Sequence, residues 1–123
     1  MTYFRNTGQQ YVYFIKPKGA CGPVKIGLSE CPEFRMKSSG HWVPIPLELA
    51  VKIPGDRFLE GRFHRFFLDC HSHLEWFDMT TKLHSVIERI KAGVFDYDEL
   101  PEYSKPLRFL VKDKLSIEAE RAQ

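Results

Sequence analysis

Tyr13, Lys25, Arg35 and Glu60 place a phenol, an ammonium, a guanidinium and a carboxylate in four separate stretches of a 123-residue chain. A carboxylate can hold a divalent cation, a guanidinium can clamp a phosphate with its planar fork, and an ammonium can offset charge on oxygen. A phenol beside such groups can orient or deprotonate water, although its free pKa of about 10 makes it a poor base at neutral pH. A nearby Lys25 is expected to favour the phenolate. Together these groups match the needs of phosphodiester hydrolysis, which wants an activated water, a cation on the non-bridging oxygens and a stabilised leaving oxygen. His64 lies four residues after Glu60, so on a helix both can face one point, where the imidazole could serve as an acid or base or orient Glu60. Tyr11 shares the strand face of Tyr13.

The elements that must carry these residues can be read from apolar periodicity and breakers. Tyr11–Ile15 is aromatic and β-branched, and Val24–Leu28 alternates, so the two predict a hairpin across the Pro- and Gly-rich stretch 16–23. Ser29 and Pro32 predict the start of a short helix running to about Ser39. Leu47–Ile53 predicts a third strand. Asp56 caps a predicted helix reaching about Asp69, with Leu59, Phe63, Phe66, Phe67 and Cys70 on one buried face. A His-rich loop follows, and then Glu75–Phe77 as a short extended piece with Trp76 and Phe77 as core plugs. Thr80 or Thr81 opens a third helix, with Leu83, Val86, Ile87 and Ile90 in one stripe and Gly93 at its end. Residues 95–103, with four acids and a proline, predict a surface connector, and 116–123 a polar helical tail. The order predicts an α+β fold: a small, mainly antiparallel three-stranded sheet flanked by helices. The predicted organisation is an N-terminal extension over 1–10, the domain over 11–93, and a C-terminal connector and tail over 94–123.

The spacing of Tyr11-Val12-Tyr13 and, eleven residues on, Lys25-Ile26-Gly27 resembles the paired motif of the GIY-YIG nuclease superfamily. Arg35 matches that family's helical arginine, and Glu60, within the stretch 60–67, its metal-binding glutamate. Glu75-Trp76-Phe77 resembles a further motif of a phage-type branch whose second motif reads KIG. Tyr11 stands where the family has its first glycine and Lys25 where it has a tyrosine, both tolerated in that branch. The late asparagine of homing members has no counterpart, and Glu75 or His64 is the candidate for its place. The resemblance covers residues 11–90. It implies a metal-dependent endonuclease with Tyr13 as base, Arg35 on the scissile phosphate, Lys25 in support, and Glu60 as the only protein carboxylate on one Mg²⁺ or Mn²⁺.

Composition sets the bounds around this reading. A chain that is 43% apolar and 28% charged is globular, and ten Phe supply a bulky core. Net charge is only +2, yet residues 1–65 hold ten Lys and Arg against five acids, and residues 66–123 hold eight against eleven. The basic front half makes Lys16, Lys18, Lys37, Arg62 and Arg65 candidate contacts to a nucleic-acid backbone, with DNA favoured as partner. No zinc finger, basic helix or helix-turn-helix is present, so any sequence specificity would come from loops. Three cysteines at irregular spacing are neither a disulfide framework nor a usual zinc set. No apolar run has the length of a membrane span, and the first ten residues lack a signal-peptide core, so the expected location is the cytoplasm of a bacterial or phage-infected cell. Taken singly, each candidate also has an ordinary role: packed strand tyrosines, a solvated lysine and arginine, a salt-bridged glutamate. Two further functions therefore stay open: a catalytically silent nucleic-acid-binding or regulatory protein on the same scaffold, and a protein-interaction module.

Overall fold

The computed structural model describes residues 8–40 and 45–102, without the side chains of 38–40. The predicted C-terminal tail lies outside the described residues. Strands β1 (Tyr11–Pro17) and β2 (Val24–Ser29) form the expected hairpin, helix α1 (Pro32–Gly40) follows, and β3 (Leu47–Pro54) returns along β1. Helix α2 (Arg57–Phe66) leads through a 3-10 turn (Leu68–Cys70) to β4 (His71–His73) and β5 (Trp76–Phe77), and α3 (Thr81–Lys91) follows.

The sheet has five strands in the order β3-β1-β2-β5-β4, all antiparallel, where the sequence predicts three. The two extra strands are the predicted His-rich loop and the short extended piece. Neither has the length or alternation of an independent strand. They form because β2 offers a free edge, to which Val24 and Lys25 bring Phe77 and Trp76. The hairpin between β4 and β5 turns at Leu74, whose φ is +52°, and Nε2–H of His71 donates to the Leu74 carbonyl at 2.7 Å.

Alternation along β1 assigns the two faces of the sheet. Val12 and Phe14 join Val24, Ile26, Ile53 and Phe77 in a core covered by Phe63 of α2, by Phe67 at its C-cap and by Leu83, Val86 and Ile90 of α3. Phe63 meets Phe14 edge-on at 5.3 Å between ring centroids. Both helices start where the sequence predicts. The Asp56 side chain accepts from the Phe58 and Leu59 amides, and Thr80 Oγ1 accepts from the Leu83 amide. Gly93, at φ +75°, follows the end of α3. The α2 helix stops at Phe66 rather than Asp69, its last predicted turn tightening into the 3-10 segment.

The predicted surface connector after Gly93 is in part core. Phe95 and Leu100 are buried, and Phe95 stacks on Phe63 at 6.1 Å. Arg62 holds this segment down by donating to the carbonyls of Tyr97, Leu100 and Pro101. The acids that made the stretch read as solvated do face water, and Phe95 and Leu100 do the packing.

Candidate active site

The opposite face of β1 carries Tyr13, directly across from Gly27 on β2 and Lys52 on β3. Lys25 lies one pleat along the same face, between Ile15 and Trp76. Helix α1 covers this side. Its Glu33 pairs with Lys52 at 2.9 Å, and its Arg35 donates a hydrogen bond to the Tyr13 hydroxyl. The Glu33–Lys52 pair, exposed and worth little stability, links α1 to β3 on the Tyr13 side of the sheet.

Gly27 explains the glycine of the second motif. A Cβ at this position would lie 2.5 Å from Tyr13 Cζ and closer still to the hydroxyl. The phenol therefore crosses β2 where that strand has no side chain, and it is almost wholly buried there.

Glu60 and His64 come from α2, one turn apart and both fully buried, on the margin of the apolar stripe that holds Phe63 and Phe67. Their link to the sheet is the outer edge of β2, just past the end of β5. There the Ile26 amide donates to the Glu75 carbonyl at 3.0 Å, and the Ile26 carbonyl accepts from His64 Nε2 at 2.8 Å. A carbonyl can only accept, so the hydrogen of a neutral His64 sits on Nε2. That nitrogen also lies 3.8 Å from Glu60 Oε2. While it donates to Ile26 this nitrogen has no lone pair for a cation. The side chains of Glu60, His64 and Glu75 bring one ligand atom each within 4.8 Å of one another. Two carboxylates at that separation repel by about 3 kcal/mol at an effective dielectric of about 20, a cost that a divalent cation between them removes. The two hard carboxylate oxygens fit the Mg²⁺ or Mn²⁺ that the sequence resemblance implies.

The electrostatics correct one expectation. Tyr13 is pushed up to about 12, first by burial, then by the Glu75 carboxylate, with Glu60 adding to it. The Arg35 hydrogen bond and charge pull the other way and do not prevail. Lys25 was expected to favour the phenolate; instead burial and two carboxylates keep Tyr13 a neutral phenol. Lys25 itself is lowered from the usual lysine range, chiefly by burial and also by Arg35, against the pull of Glu75.

Five of the sequence candidates (Tyr13, Lys25, Arg35, Glu60 and His64) thus gather around one stretch of β2. A second carboxylate, Glu75, stands near Glu60 and His64. Its sequence signal was its place in the Glu-Trp-Phe motif, which gave no hint of its distance from Glu60. Tyr11 stands apart from the cluster. It pairs with Ser29 and Pro54 at the far end of β1, and its ring receives the Lys52 ammonium at 4.9 Å. Among the cations expected to contact nucleic acid, Lys16 is engaged by Glu48 and the Ala20 carbonyl, and Arg62 by the three carbonyls named above. Lys18, Lys37 and Arg65 are exposed. A groove of about 530 Å³ lies elsewhere, between the β1–β2 loop and α3, lined by Lys16, Met79, Thr80 and His84 among others. It gathers no cluster of metal-ligating groups among the described residues.

A small antiparallel sheet with a buried carboxylate–imidazole cluster at the edge of its second strand is the framework these residues define. The T5orf172 domain family matches residues 10–93, and the chain belongs to it. This is a phage-associated domain of endonuclease type, which suggests a nuclease-like or nucleic-acid-binding function. No curated protein and no solved structure matches the chain. No helix among the described residues is long and apolar enough to cross a membrane.

Proposed function

We propose that the chain is a metal-dependent endonuclease of the GIY-YIG type that hydrolyses phosphodiester bonds in nucleic acid, DNA before RNA, in the cytoplasm of a bacterial or phage-infected cell. The observation that carries this reading is the meeting of Tyr13, Arg35, Glu60 and His64, from three elements, beside one segment of β2. Glu60 holds the cation, and His64 keeps its carboxylate in place. Mg²⁺ or Mn²⁺ bound there would polarise the phosphate and offset the carboxylates that keep Tyr13 protonated. Arg35, exposed above the sheet, binds the non-bridging oxygens, and Lys25 adds positive charge to the same side. With a cation offsetting the carboxylates, Tyr13 would give up its hydroxyl proton to solvent, and the phenolate would take a proton from the attacking water; as the new P–O bond forms, the bond to the leaving oxygen breaks and solvent returns a proton to that oxygen.

A second reading has an observation of its own. A phenol held at about 12 and hydrogen-bonded to Arg35 is also what a silent, nucleic-acid-binding version of the scaffold would contain.

Labelled single- and double-stranded DNA and RNA, incubated with wild type and Glu60→Ala with and without Mn²⁺, separate the two. Cleavage is expected only with the cation, and Glu60→Ala should lower it by several kcal/mol, about 10³-fold or more. Cleavage by Glu60→Ala at the wild-type rate would remove the assignment. Salt-sensitive binding without cleavage by wild type would select the second reading.

A further inference from the structure

Glu75 immediately precedes β5 and stands beside the buried Glu60 and His64. Its backbone carbonyl is used by β2, through the Ile26 amide, and this fixes the residue at the end of β5 whatever its side chain does. The side chain is half-buried and stands within 4.8 Å of ligand atoms of both Glu60 and His64. It is also the carboxylate whose charge acts most on Tyr13 and the one that acts on Lys25.

Charge balance points the same way. With Glu60 and Glu75 ionised, Lys25 and Arg35 bring the formal balance of the cluster to zero. A divalent cation then raises it to plus two, suited to a phosphodiester and to the further negative charge of its transition state. With Glu60 as the only carboxylate, the cluster would be positive before any cation arrived and would repel it.

We infer that Glu75 is a second carboxylate ligand of the cation, so that Glu60 and Glu75 together hold one Mn²⁺ or Mg²⁺ before nucleic acid binds, with the His64 imidazole setting the Glu60 geometry. This rests on the metal-dependent reading above but goes beyond it, because a single-carboxylate site would need the substrate phosphate to complete its hold. The cost of bringing two carboxylates together is met by the cation rather than by the substrate.

The test is Mn²⁺ binding to the protein without nucleic acid, followed by calorimetry and by the electron paramagnetic resonance of bound Mn²⁺. The variants are Glu60→Gln, Glu75→Gln and Glu75→Asp. Wild type is expected to bind one Mn²⁺, Glu75→Gln to bind it at least about tenfold more weakly, and Glu75→Asp to fall between them. Mn²⁺ should also raise the unfolding temperature of wild type more than that of Glu75→Gln, which shows in the same step that the variant folds. Wild-type affinity in Glu75→Gln with loss in Glu60→Gln would overturn the inference and leave the single-carboxylate site standing. Failure of wild type to bind Mn²⁺ without nucleic acid would overturn it too, and cleavage with Mn²⁺ would then still decide the endonuclease reading on its own.

Discussion

The two faces of β1 are built from neighbouring residues and do opposite work. Val12 and Phe14 point into a core of rings and aliphatic chains that contributes the burial energy of a small domain. Tyr13, between them, points to the other side and is as well buried, but the charges of Glu75, Arg35 and Glu60 act on its hydroxyl. Burial therefore does not distinguish the faces; the company does. On one face it removes apolar surface from water, and on the other it amplifies the interaction of charges and perturbs a phenol. The α2 helix serves both faces, with Phe63 and Phe67 on the core and Glu60 and His64 beside the edge of β2.

Substitutions on the two faces should separate stability from chemistry. The largest stability effect is expected on the core side. Phe14→Ala removes a ring packed edge-on against Phe63 and should cost about 3–5 kcal/mol in denaturant unfolding. A cost below about 1 kcal/mol would mean that this face is not the core. Next comes Gly27→Ala. The added methyl overlaps the Tyr13 phenol, so about 1–3 kcal/mol of overpacking is expected in the same unfolding experiment, together with a displaced phenol and loss of cleavage. Full activity in that variant would show that the phenol need not cross β2. The smallest effect belongs to Arg62→Ala, which frees the carbonyls of Tyr97, Leu100 and Pro101 and should cost about 1–2 kcal/mol. Its affinity for nucleic acid, measured against salt, should stay unchanged; a shallower salt dependence would return Arg62 to the binding face.

The elements with strong periodicity or clear caps were legible in the sequence: the hairpin, β3, and helices α2 and α3 with Asp56 and Thr80 at their starts. What was not legible owes its form to partners distant in the chain. His71–His73 and Trp76–Phe77 are strands only because the edge of β2 receives them, and no local propensity in His-Ser-His announces that. Phe95 and Leu100 read as parts of an acidic connector because the core they join is distant in the chain: Phe63, on which Phe95 stacks, lies more than thirty residues before it. At the site, residue types gave Tyr13, Lys25, Arg35 and Glu60. The direction in which Tyr13 is shifted could not be read from types, because it depends on how near Glu75 comes and how completely α1 covers the ring. Gly27 was visible as a motif letter, but its cause, the phenol lying across it, is a matter of register.

The most direct test of the difference between the faces is Tyr13→Phe, taking single-turnover cleavage with Mn²⁺ and the free energy of unfolding from one preparation. A drop in rate of about 10²–10⁴-fold with stability held within about 1 kcal/mol is the predicted result, because only a hydroxyl at a fixed ring position is lost. Cleavage at the wild-type rate, or a loss of activity that merely follows unfolding, would contradict it.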